Sequence, residues 1–273
     1  APLPPALQVT ADSHAALAGA SLAILAIPTQ YLRDVLAGLP GLPPCVIAAK
    51  GVEAGTLRFP LEILAETHPG LPVAILSGPN FAHEVAQGLP AAAVLASADT
   101  TLRDNAMARL TSPGFRLYAG ADPLGVQVAG AAKNVAAIAA GAAIGAGLGE
   151  NARAAIVTRA LAEIARLVVA LGGRGDTAAG LSGLGDLMLT CAGGSSRNFT
   201  LGLAIGRGER AADVLASRNS VTEGAATAPA ILARAAQAGV ELPVCAAVAA
   251  VLDGTLTVGD AVEQLMGRPP RAE

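Results

Sequence analysis

Short apolar runs of strand length punctuate the first ~120 residues, at Leu22–Ile27, Cys45–Ala49, Val73–Leu76, Ala92–Leu95 and Arg116–Tyr118. Between some of them the apolar positions recur at helical spacing, around Tyr31–Ala37 and Leu61–Glu66, and Asn80–Gln87 reads as a third helix. Continuous apolar strands joined by helical crossovers predict a parallel sheet buried on both faces. Past Asp122-Pro123 the strand signal stops. Gln127–Ile144, Ala152–Leu171, Arg197–Arg207, Glu223–Gln237, Pro243–Leu252 and Val258–Met266 all read as helices separated by Gly- or Pro-bearing turns. The expectation is therefore an α/β domain over residues 1–122 and an all-α domain over 123–273.

Composition narrows the function classes. Of the 273 residues, 64 are alanine and only 2% are aromatic, so the core is aliphatic and packed from small side chains. The 16 uncharged residues between Lys133 and Glu150 are mostly Ala and Gly and fall short of a membrane span, and the run Ala15–Leu32 is broken by Pro28, Thr29 and Gln30. A net charge of −3 without a basic run argues against nucleic acid as a partner. Cys45, Cys191 and Cys245 are distant and odd in number, which favours a reducing, cytoplasmic setting over a disulfide framework. His83-Glu84-Val85-Ala86-Gln87 lacks the second histidine of a zinc HExxH motif, so no metal is expected.

Sixteen of the 18 basic residues are arginine, leaving Lys50 and Lys133 as the two lysines. Lys50 follows a strand and precedes Gly51, which aims it at the crevice where parallel sheets bind ligands. The turn Ser77-Gly78-Pro79-Asn80 leaves the next strand; taken alone, both are ordinary strand-to-helix turns. Lys133 sits in Gly130-Ala131-Ala132-Lys133-Asn134-Val135, a helix with small residues on every face. Such a helix is buried all round, and burial lowers a lysine pKa towards the range of a general acid/base. The alternative is a lysine that snorkels near a helix end. In Gly180–Cys191, Asp186 and Thr190 share a helix face at i, i+4. Ser195 or Ser196 then caps a helix that opens with Arg197 and Asn198, an arrangement suited to phosphate, though a capped helix with a solvent-facing Arg reads the same.

Ala49-Lys50-Gly51, Ser77–Ala82, Gly130–Asn134, Gly180–Cys191, Ser196-Arg197-Asn198 and Val221-Thr222-Glu223-Gly224 occur in the order and spacing of one family. Together they resemble the bacterial NAD(P)-dependent glycerol-3-phosphate dehydrogenases along nearly the whole chain. The resemblance implies a Rossmann-type domain and a helical substrate domain. The reaction it implies is reversible hydride transfer between sn-glycerol 3-phosphate and dihydroxyacetone phosphate, with NAD or NADP, for glycerophospholipid synthesis. It also implies roles. Lys133 is the catalytic proton carrier and a substrate contact, and Lys50 is shared by substrate and cofactor. Gly78, Asp186, Ser196, Arg197 and Asn198 contact the phosphorylated triose. Ala82, Val221, Glu223 and again Arg197 contact the cofactor.

The chain departs from that pattern at its start. No GxGxxG turn is present; Gly145-Ala146-Gly147-Leu148-Gly149 comes nearest and lies in the helical half. The sequence reads as beginning before the family's third strand, so the Rossmann sheet is expected to be incomplete. This span alone is then expected to hold the cofactor weakly and to turn over little or not at all. Two rival readings follow: another two-domain lysine-dependent dehydrogenase, of β-hydroxyacid or ketopantoate type, and a non-catalytic remnant that binds a phosphorylated triose or nothing. The choice between NAD and NADP and the oligomeric state, with a homodimer among the options, stay open.

Overall fold

The computed structural model describes residues 6–39, 41–218 and 220–269. Five strands lie side by side in chain order: β1 (Ala23–Leu25), β2 (Cys45–Ile47), β3 (Val73–Ser77), β4 (Ala91–Ala96) and β5 (Phe115–Gly120). Helices α1 (Ser13–Leu17), α2 (Thr29–Ala37), α3 (Pro60–Thr67), α4 (Ala82–Ala86) and α5 (Thr100–Leu110) precede or connect them. The period-2 geometry of a strand divides its side chains between two layers. Cys45 and Ile47 face Leu32 and Leu36 of α2 and Ile63 and Leu64 of α3. Val46, between them, faces the opposite layer with Leu102 and Ala106 of α5. Both faces are thus covered, as the apolar runs predict.

The sheet is not parallel throughout. β1–β2, β2–β3 and β4–β5 pair in parallel, whereas β3 and β4 pair antiparallel, with Leu76 opposite Leu95. The connection between β3 and β4 explains this departure. Its only helix, α4, has five residues and rises ~7 Å, too little to return the chain along strands of ~17–20 Å. The chain therefore reverses on the same side. Gly78 makes that reversal feasible: its φ is +156°, and a Cβ there would lie 2.7 Å from Ala93 Cα on β4.

The helical half is organised around α6 (Pro123–Gly145). Asp122 caps it by accepting the Gly125 N–H at 2.8 Å, and Pro123 stands in the first turn. This helix is long and apolar enough to cross a membrane, but 83% of its most apolar stretch is buried inside the protein. Around it lie α7 (Gly149–Ala170), a 3₁₀ turn at Gly175–Ala179, a π turn at Leu181–Gly185 and α8 (Asp186–Cys191). α9 (Arg197–Gly206), α10 (Ala211–Ala216), α11 (Glu223–Gln237), α12 (Pro243–Leu252) and α13 (Val258–Met266) follow. The α6–α9 contact is made main chain to main chain. A Cβ on Gly141 would fall 2.0 Å from the Phe199 carbonyl oxygen, and one on Gly202 2.0 Å from that of Ile138.

Candidate active site

The exits of β1, β2 and β3 and the starts of α9 and α11 enclose a cleft of about 530 Å³. Lys133 projects into it from the middle of α6 and is only 6% exposed. Its Nζ donates to Asp186 Oδ1 at 2.9 Å and to Thr190 Oγ1 at 2.8 Å. Asp186 and Thr190 stand one turn apart on α8, and the Thr190 hydroxyl in turn donates to the Asp186 carbonyl at 2.6 Å. From the β2 exit, Lys50 Nζ reaches the other carboxylate oxygen, Oδ2, at 2.7 Å. It also lies 3.4 Å from the Gly78 carbonyl.

One carboxylate thus holds two ammonium groups, and burial and charge together set the protonation of Lys133. Burial pushes Lys133 down to about 8; Asp186 works against that fall and Lys50 adds to it. For Asp186, burial alone would raise the carboxyl, but Lys50 and Lys133 outweigh it and hold it below the ordinary aspartate value. The result is a permanent anion beside an amine poised to gain or lose a proton near neutrality.

The opposite wall is built from helix starts. Ser196 caps α9, its Oγ accepting the Phe199 N–H at 3.2 Å, which settles the choice between Ser195 and Ser196 as the cap. Arg197 follows at the first helical position and lines the cleft. Among the described residues no carboxylate pairs with it, so its guanidinium is available to an anion. Asn198 bonds to Asn134 and Gly224 rather than to Lys133. Its Nδ2 donates to Asn134 Oδ1 at 3.0 Å, and its Oδ1 accepts the Gly224 N–H at 2.9 Å. Asn134 Nδ2 lies 3.3 Å from the Lys50 carbonyl, so this amide pair joins α6, α9, α11 and the β2 exit.

Lys50, Ala82, Lys133, Asp186, Ser196, Arg197, Asn198, Val221 and Glu223 therefore all line one cleft. Gly78 does not; it lies behind Lys50 and offers it a carbonyl. The sequence reading missed the surroundings of Glu223. Burial pushes that carboxyl up to about 7, although Oε1 accepts the Thr29 N–H at 3.3 Å and Arg197 draws the value down. Its Oε2 and the hydroxyls of Thr29 and Thr227 are buried without a hydrogen-bond partner. All three lie within 2.7–3.2 Å of where a Cβ on Gly51 would stand. The Gly after Lys50 was the available signal: no larger residue fits that cradle. Of Glu223, Thr29 and Thr227 only Glu223 also lines the cleft, where its carboxyl suits a polar ligand that brings N–H or O–H donors, as a nicotinamide nucleotide does.

Residues 1–103 match the family model described as the NAD-dependent glycerol-3-phosphate dehydrogenase N-terminus, and residues 122–263 match the C-terminus of the same family. The glycerol-3-phosphate dehydrogenase (NAD(P)+) of Gluconobacter oxydans is 52% identical over 258 residues, covering 93% of this chain and 80% of that relative. The corresponding protein of Rhodospirillum rubrum is 49% identical, covering 99% and 79%. The crystal structure of glycerol-3-phosphate dehydrogenase from Coxiella burnetii superposes with a TM-score of 0.94 at 35% identity, covering 98% of this chain and 83% of that one. With both halves matched and the fold shared, the chain belongs to the NAD-dependent glycerol-3-phosphate dehydrogenase family.

Proposed function

We propose that this cleft interconverts sn-glycerol 3-phosphate and dihydroxyacetone phosphate with NAD(H) or NADP(H), with Lys133 carrying the proton. The observation that supports this best is the Lys50–Asp186–Lys133 arrangement opposite Arg197, which has no carboxylate partner among the described residues. When bound, the nicotinamide nucleotide supplies the hydride acceptor or donor; Ala82, Val221 and Glu223, with Lys50 and Arg197, would hold it. The protein's own residues do the rest. Arg197, at the capped start of α9, grips the substrate phosphate through a bidentate fork. Lys50 orients the C2 oxygen from the other side.

In the oxidation direction neutral Lys133 accepts the C2 hydroxyl proton; in reduction its ammonium returns one. Asp186 stays ionised throughout and stabilises the ammonium as it forms, while Thr190 fixes the amine's direction. Ser196 and Asn198 complete the anion wall, the first as helix cap and the second by tying that wall to α6. We place the division between the sheet domain and the substrate domain at Asp122, where β5 has ended and α6 is capped. Formation of sn-glycerol 3-phosphate would supply glycerophospholipid synthesis in the cytoplasm, a setting consistent with three buried, free thiols.

The test is reduction of dihydroxyacetone phosphate, measured separately with NADH and NADPH on this span and on the span extended upstream by a Gly-rich nucleotide-binding unit, beside the unphosphorylated ketone. Turnover confined to the phosphorylated substrate and lost in Lys133→Ala supports the reading. Equal turnover of both ketones would overturn it.

A further inference from the structure

Arg218 belongs to none of the motifs that carry the family resemblance, and it stands in the link between α10 and α11. Among the described residues its guanidinium makes three hydrogen bonds, none to a carboxylate. Nη1 donates to the main-chain carbonyl of Arg197 at 2.6 Å and to Thr222 Oγ1 at 3.3 Å. Nη2 donates to Thr200 Oγ1 at 3.1 Å. Arg197 and Thr200 form the first turn of α9, whereas Thr222 is the residue just before α11 and its first residue, Glu223. One planar group therefore spans the starts of two helices that flank the cleft. Its fork geometry matters, since a point charge on a flexible stem cannot address three acceptors at fixed angles.

The electrostatics point the same way. Arg218 is partly buried, and desolvation together with the neighbouring charge of Arg197 lowers its pKa. Two guanidinium groups are thus held close together, with neutral acceptors only around Arg218 and no carboxylate partner for Arg197 among the described residues. Holding like charges together in a partly desolvated place is unfavourable until an anion arrives. A purely structural clasp would not need a second uncompensated cation at that spot.

We propose that Arg218 is a positioning residue for the phosphate end of the reaction. It fixes the main chain of Arg197 and ties it to the start of α11 without touching the ligand. This inference rests on the reading of Arg197 as the phosphate grip.

The test uses Arg218→Gln and Arg218→Lys in the full chain. Three quantities are measured: kcat and KM for dihydroxyacetone phosphate, the affinity for inorganic phosphate by calorimetry, and the melting temperature. Arg218→Gln is expected to raise KM at least tenfold and to weaken phosphate binding in parallel, with a smaller fall in kcat. Arg218→Lys, which restores charge but not the fork, should recover only part of the loss. In the double variant Arg197→Lys/Arg218→Gln, the second change should add less than threefold to the first, because Arg218 acts through Arg197. Thr200→Val removes one acceptor and should shift phosphate affinity in the same direction, which keeps the test open should Arg218→Gln fail to fold. Unchanged phosphate affinity in the Arg218 and Thr200 variants, or full additivity with Arg197→Lys, would overturn the proposal. Phosphate affinity insensitive to Arg197→Lys itself would instead overturn the reading on which it rests.

Discussion

Lys50 and Lys133 come from different halves of the chain and grip opposite oxygens of one carboxylate, at 2.7 Å and 2.9 Å from Asp186. Neither ammonium touches the other, yet the charge of Lys50 lowers the pKa of Lys133 while Asp186 raises it. The first prediction follows for Lys133. Its replacement by alanine should lower kcat by roughly 10²–10⁴-fold, the range for losing a positioned general acid/base, while circular dichroism and melting stay close to the parent. Turnover within a few-fold of the parent would remove Lys133 from the mechanism.

The direction of the pH dependence is fixed by the same triad. Because Lys133 is held near 8, glycerol 3-phosphate oxidation should rise as pH increases through about 8, and dihydroxyacetone phosphate reduction should fall over the same interval. Asp186 raises the Lys133 value, so Asp186→Asn should move both limbs to lower pH. Profiles of kcat/KM in the two directions check this. A limb that moved upward in Asp186→Asn would contradict the charge assignment.

Arg197→Lys keeps the charge and loses the fork. If two charge-assisted hydrogen bonds become one, KM for the phosphorylated substrate should rise roughly 10- to 100-fold, matching ~1.5–3 kcal/mol per bond to a charged group. Comparing glycerol 3-phosphate with glycerol measures it. Discrimination equal to the parent's would show that the phosphate is held elsewhere.

Glu223 offers a test on stability rather than rate. Its folded pKa is raised to about 7 by burial, above the unfolded value near 4.5. The folded state therefore binds the extra proton, and stability falls as pH rises from about 4.5 to 7. Glu223→Gln removes that penalty. In the absence of cofactor the variant should gain about 1–3 kcal/mol over the parent at pH 8 and almost nothing at pH 4.5, read from urea unfolding. A gain independent of pH would mean that the carboxyl is ionised throughout.

Gly78→Ala tests the strand reversal. The new methyl would meet main-chain atoms, Ala93 Cα at 2.7 Å and the Ala92 carbonyl oxygen at 3.0 Å, and neither can rotate away. A loss of roughly 1–3 kcal/mol is expected from strain at this φ, visible as a fall of about 2–4 °C in Tm per kcal/mol. Lys50 loses the neighbouring carbonyl at the same time, so KM should rise as well.

Much of this architecture was legible in residue order. The five apolar runs mark all five strands, and Pro243–Leu252 and Val258–Met266 are helices with the expected ends. The misses have physical causes. α5 buries only Leu102 and Ala106, too few apolar positions to mark a helix face, although Asp99 caps it at Leu102 N–H. The antiparallel β3–β4 pairing depends on how far α4 carries the chain, which apolar pattern does not encode. Lys133 stood out because lysine is rare here. Thr227 and Thr29 did not: a hydroxyl becomes informative only when its neighbours in space are known. Arg218 was hidden for the opposite reason, as one arginine among sixteen.

The close seam between α6 and α9 has a consequence for selectivity. Lys133 belongs to one helix and Arg197 to the other, and where those helices meet at Gly141 and Gly202 no side chain lies between them to compress or swing. On the proposed roles of Lys133 and Arg197, the separation between proton carrier and anion grip would behave as a fixed gauge. Interiors packed to this density transmit strain rather than absorb it, and a misplacement of ~1 Å at a reacting centre costs on the order of 10²-fold in rate. A phosphorylated alcohol one carbon longer or shorter would carry its carbinol past the amine or short of it. The glycines of this seam would thereby gauge the substrate by length, at a distance from the residues proposed to touch it.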